Sequence, residues 1–186
     1  MMFIQRNKKP KLFLQAGQEF RYTFLLLDEC ETDEDKLNAI DLFTDLIVND
    51  LKYYMALNVI YNDQNNCQSV LGYLFPTESW DKDGNLVICE KSKDAVKEID
   101  IQKDRVIVAP WCKKRYIRAM KKNKIRDFKF MPNNDFGIYY RPLDICHVYN
   151  GNHSIATFIG YKKQGNIKVN EIDISRLFNL IDTDGK

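Results

Sequence analysis

An apolar, β-prone run ends abruptly at Asn150-Gly151, and a helical pattern begins with the next residues. Ile145, Val148 and Tyr149 belong to the run, while Ile155, Phe158 and Ile159 recur at helical spacing. The chain must therefore leave a sheet, turn on a glycine and start a helix within a few residues. The first amides of a helix have no partner inside it, and the helix dipole adds partial positive charge there. Such a corner suits a phosphate group. Gly151 permits close approach, Asn152 and Ser154 offer hydrogen bonds, and His153 would contact phosphate or move a proton as acid/base. His153 is one of only two histidines in 186 residues. The plainer alternative is a simple strand-to-helix turn, with Asn152 as the cap and His153 on the surface.

Charge is unevenly spread. Residues 17–50 hold ten acidic and two basic side chains, and residues 103–129 hold eleven basic and two acidic. This asymmetry fits an anionic partner for the basic segment, or two segments that complement each other. Five scattered cysteines (Cys30, Cys67, Cys89, Cys112, Cys146) include no Cys-x-x-Cys and no zinc spacing. They read as reduced thiols in a cytoplasmic setting. No apolar run is long enough to span a bilayer, so no membrane partner is expected.

Residues 1–16 read as a loose basic arm, and 18–29 as a short helix or buried strand. Thr32-Asp33-Glu34-Asp35 supplies a cap and an acidic first turn. Leu37, Ile40, Phe43, Ile47, Leu51, Tyr54 and Met55 then mark one long helix to about Tyr61. Asp63 to Asn66 breaks it. Residues 67–85 look rich in loops, with Asp83-Gly84-Asn85 as a turn rather than a calcium loop. Residues 86–89 and 105–109 read as strands.

Trp111 to Asn123 reads as a basic amphipathic helix. Cys112, Tyr116, Ala119 and Met120 form its packed stripe, and Lys114, Arg118, Lys121 and Lys122 its wet face. Residues 128–131 suggest a short strand and 132–135 a turn. Two strands flank Arg141-Pro142. A helix from Asn152 to about Lys163 should end at Gly165. Residues 167–172 alternate as a strand, and 174–181 form a last short helix.

The order strand, proline, helix, two strands, glycine turn with histidine, helix, strand over residues 104–172 resembles the ParB/sulfiredoxin superfamily. Val108-Ala109-Pro110 matches its strand-and-proline box. Gly151-Asn152-His153-Ser154 matches its phosphate-holding box, and Ile155-Ala156 the pair that seats the helix on the sheet. The resemblance covers about the C-terminal two fifths of the chain. It implies a nucleotide-phosphate pocket on Gly151, Asn152 and Ser154. Asn152 stands where sulfiredoxin-like enzymes carry cysteine, which excludes sulfinic-acid reduction. Ser154 stands where arginine is usual, so compensating charge would come from Arg115 and Arg118.

The sequence thus predicts an α+β protein. A largely helical region over 1–85 precedes a ParB/sulfiredoxin-like mixed sheet with helices over 86–186, packed as one compact unit. The expected function is binding of nucleotide or nucleic-acid phosphate. Lys114, Lys121 and Lys122 would assist nucleic acid. Phosphoester or nucleotide hydrolysis, with His153 catalytic, is the enzymatic version. A divalent-metal nuclease using His147, His153 and Asp144 or Asp135 is a weaker variant. The rival is a non-catalytic regulator or inhibitor of phage or mobile-element type, acting through a protein or nucleic-acid partner.

Overall fold

The computed structural model describes residues 23–61 and 74–180, with the backbone alone for 91–95. The chain divides into two units between Phe43 and Thr44. The sequence had suggested a division near residue 85. In the first unit, residues 23–28 are helical, and a turn leads to helix α1, Asp33–Tyr61. The Thr32 hydroxyl oxygen accepts the Asp35 N–H at 3.1 Å, so the expected cap forms.

In the second unit α1 continues and is followed by strands β1 (Glu78–Trp80), β2 (Leu86–Ile88), β3 (Glu90–Asp100) and β4 (Arg105–Val108). Helix α2 (Lys113–Asn123), β5 (Gly137–Arg141), β6 (Ile145–Val148), helix α3 (Asn152–Gly160), β7 (Asn166–Asp173) and helix α4 (Ser175–Phe178) complete it. β1 and β2 make a separate hairpin. Its turn is held by the Asp81 carboxylate, which accepts from the amides of Asp83 and Asn85, with Gly84 at φ 82°. The main sheet has the order β3-β7-β5-β6-β4. The β4–β6 and β5–β7 pairs are parallel, and the β5–β6 and β3–β7 pairs antiparallel. The fold is α+β with a mixed sheet, as expected.

Alternation along the strands divides the core. Val106, Val108, Cys146 and Val148 pack with Ile155, Ala156, Phe158 and Ile159 of α3 and with Tyr116 of α2. Ile107 and Ile145 pack with Val48 of α1, while Ile138, Tyr140 and Ile172 join Ile174 and Leu177. A strand buried on both faces reads as a mostly apolar run, which is why β4 and β6 stand out in the sequence.

Several expectations need correction. Residues 128–131 form no strand; Phe128 and Phe130 instead pack on the core from an irregular segment. α3 stops at Gly160, not near Lys163. Lys162 takes the left-handed position at φ 56°. The amides of Lys162 and Lys163 bond back to the carbonyls of Ile159 and Phe158, closing a Schellman-type end. Gln102 Nε2 also donates to the Phe158 and Lys163 carbonyls. Gly165 has another reason to be glycine: a Cβ there would lie 2.2 Å from the Phe128 ring. β1 and β3 are strands that the sequence reading did not mark. The break at 63–66, residues 67–73 and the basic arm lie outside the described residues.

Candidate functional site

The ends of β4 and β6 lie side by side because these strands pair in parallel, Val108 opposite Val148. Each then leads into a helix, α2 or α3. A cleft of about 420 Å³ opens between the two helices and the turn at 131–134. Gly151, Asn152, His153 and Ser154 line it from α3, and Arg115, Arg118 and Lys122 line it from α2. These positions on α2 share a face, as spacings of three and four require. Lys114 and Lys121 are exposed but do not line the cleft. Arg115, Arg118 and Lys122 make no ion pair among the described residues.

Gly151 caps α3 with φ 80° and ψ 0°. This left-handed conformation favours glycine. Space reinforces the choice, because a Cβ would lie 2.7 Å from Asp135 Oδ1. Asp135 is 2% exposed and accepts from the Met131 amide and Asn134 Nδ2. Burial pushes its carboxyl above the usual carboxylate range.

The donors at the corner are partly used. The Gly151 N–H donates to the Asn150 side chain at 3.0 Å, and the Ser154 N–H to the Gly151 carbonyl at 2.9 Å. The backbone N–H groups of Asn152 and His153 have no partner among the described residues. The Asn152 side chain does not face a ligand: it is 6% exposed, and its Oδ1 accepts the Ala109 N–H at 2.9 Å. Of the phosphate-binding groups expected from sequence, Asn152 therefore offers only its amide.

His153 is also tied down. Its Nε2 accepts the Cys112 N–H at 3.0 Å. An acceptor Nε2 places the ring proton of neutral histidine on Nδ1. The Trp111 ring meets the imidazole edge to face, with centroids 4.9 Å apart, and Arg115 lies 4.8 Å over Trp111. Burial, helped by the Arg115 charge, pulls the His153 pKa down to about 4. The ring is thus neutral at pH 7, and the lone pair a general base would use already holds a backbone N–H.

Ser154 belongs to a polar chain that joins the two helices. Asn123, the last residue of α2, is 4% exposed. Its Nδ2 lies 3.0 Å from Ser154 Oγ and 2.8 Å from Thr157 Oγ1. The Thr157 hydroxyl donates to the Ser154 carbonyl at 2.7 Å. The sequence reading missed Asn123 and Thr157, because nothing local marks residues 31 and 34 positions apart as partners.

The metal variant is not supported by side-chain placement. Among the described residues no group of three or more His, Cys, Asp or Glu side chains is placed to hold a metal ion. His147 is buried within β6, and its Nδ1 has no partner among the described residues. Asp144 accepts the Tyr139 hydroxyl at 2.5 Å. Cys89, Cys112 and Cys146 are buried. No helix among the described residues is long and apolar enough to cross a membrane.

The family described as "Family of unknown function (DUF6710)" matches residues 5–186. No curated protein and no solved structure matches the chain.

Proposed function

The chain belongs to the DUF6710 family of unknown function, and we propose that it binds a phosphate group of a nucleotide or nucleic acid in the cleft between α2 and α3. The observation that carries this reading is the meeting of two unpartnered backbone amides, of Asn152 and His153, with Arg115, Arg118 and Lys122 around one concavity. His153 Nδ1–H adds a donor. Its Nε2 and its low pKa suit a neutral donor better than a general base, so hydrolysis is not part of this proposal.

A ParB/sulfiredoxin-like relationship fits the same reading. The two segments that resemble that superfamily's boxes are joined by the Ala109–Asn152 and Cys112–His153 hydrogen bonds. A cytoplasmic setting, where nucleotides abound, belongs to this proposal too.

The test is a thermal-shift screen with nucleoside triphosphates, cyclic nucleotides and single-stranded DNA. A ligand at a hundredfold excess over Kd stabilises by about 2.7 kcal/mol. Stabilisation by one class, lost in Arg115→Ala/Arg118→Ala, supports the proposal. No stabilisation by any class overturns it.

One observation favours the rival regulator. In the second unit α1 exposes Leu46, Ile47, Tyr54 and Tyr61, the last 76% accessible. Exposed apolar side chains in such number on one helix fit a protein partner. Stoichiometric co-purification of a protein, lost in Ile47→Ser/Tyr54→Ser, would support that reading.

A further inference from the structure

We infer that Thr157 and Asn123 are positioning residues that fix the Ser154 hydroxyl as a hydrogen-bond donor toward the anion; this rests on the phosphate-site reading above. The polarity follows from a count of protons. A hydroxyl has one proton to donate. That of Thr157 goes to the Ser154 carbonyl, 2.7 Å away. Thr157 Oγ1 can then only accept, so the Asn123 atom 2.8 Å from it must be the amide nitrogen. The same nitrogen lies 3.0 Å from Ser154 Oγ. One Nδ2 hydrogen goes to each hydroxyl, and Ser154 Oγ is thereby an acceptor from Asn123.

The Ser154 proton is then left over. Ser154 lines the cleft, and its hydroxyl donates to no described residue. The oxygen that meets it must be an acceptor. An ionised phosphoryl oxygen meets that condition better than a P–OH, because a charged acceptor makes the stronger hydrogen bond, so the chain favours the ligand's ionised oxygens. Thr157 is 2% exposed and does not line the cleft, so it acts only through Asn123 and Ser154.

Removing the Thr157 hydroxyl frees the Asn123 amide to turn over. Its oxygen would then take the Ser154 proton and leave a lone pair facing the anion. The test is a double-mutant cycle read by calorimetric titration of the full chain with inorganic pyrophosphate. Thr157→Val should weaken binding about ten- to a hundredfold, the order of one lost hydrogen bond to a charged group. Thr157→Ser should restore wild-type affinity. In a Ser154→Ala background, Thr157→Val should have no further effect.

Equal weakening by Thr157→Val with and without Ser154 would overturn the inference, since the effect would then not pass through the hydroxyl. Unchanged affinity in Thr157→Val would overturn it as well. Near-ultraviolet circular dichroism identifies a misfolded Thr157→Val chain, and Asn123→Leu then replaces it in the cycle with the same outcomes. Failure of the wild-type chain to bind pyrophosphate or any ligand of the screen is a different result and overturns the phosphate-site reading itself.

Discussion

Asn152 Oδ1 accepts the Ala109 N–H at 2.9 Å, joining the end of β4 to the start of α3 across 43 positions of sequence. This bond, with its neighbour from the Cys112 N–H to His153 Nε2, sets the two walls of the cleft against each other. The site's shape thus depends on side chains that bind the protein's own backbone.

Asn152→Leu leaves the part-buried Ala109 N–H without its acceptor. An unsatisfied buried donor costs about 1–3 kcal/mol. Urea denaturation should show a lower midpoint with an unchanged slope. An unchanged midpoint would mean that water replaces the side chain at no cost.

Gly151→Ala meets two obstacles, φ at 80° and a Cβ 2.7 Å from Asp135 Oδ1. Left-handed backbone alone costs a non-glycine residue about 1–2 kcal/mol. The variant should melt several degrees lower and lose phosphate binding. If Gly151→Ala keeps both, the turn is looser than its contacts imply.

Gly165→Ala tests a smaller point. The added methyl would run into the Phe128 ring, which itself packs edge to face on Phe158 at 5.2 Å. Overpacking of this kind costs about 1–3 kcal/mol. A helix-cap glycine would lose stability too, but the two accounts separate in Gly165→Ala/Phe128→Leu. Trimming the ring should recover part of the loss only if the contact is the cause.

Stability should depend on pH through His153. Its folded pKa, about 4, lies below the value of 6.5 for an unhindered histidine. Between these values the unfolded chain binds more protons, so stability falls as pH drops from about 6.5 to about 4 and is fully present above. His147, lowered by burial alone, contributes with the same sign. Thermal melts across this range should steepen in the wild type and flatten in His153→Asn. A His153 that titrates near 6.5 by NMR would contradict the half-buried, Nε2-bonded imidazole.

The sequence made the strand–turn–helix corner and the basic α2 legible because both rest on short-range signals. Periodicity revealed α1, α2 and α3, and short, mostly apolar runs revealed β4 and β6. β3 carries charges along most of its length, as an edge strand of the sheet can, so its pattern resembles a loop. Gly165 looked like a helix cap because it follows a helical pattern; its contact with Phe128 is tertiary and leaves no local trace. The same holds for the site. Arg115, Arg118, Lys122, Gly151, His153 and Ser154 were marked by type and spacing, and the structure gathers them. The inward turn of Asn152 and the Asn123–Thr157–Ser154 chain depend on pairings between distant residues.

The most direct measurement is a titration of the labelled chain with inorganic pyrophosphate, followed through backbone amide NMR signals. Bound phosphate oxygens at the start of α3 should move the Asn152 and His153 amides downfield in a saturable manner, and Arg118→Glu should abolish the change. Shifts confined to Lys114, Lys121 and their exposed neighbours, with the Asn152 and His153 signals unmoved, would contradict the account.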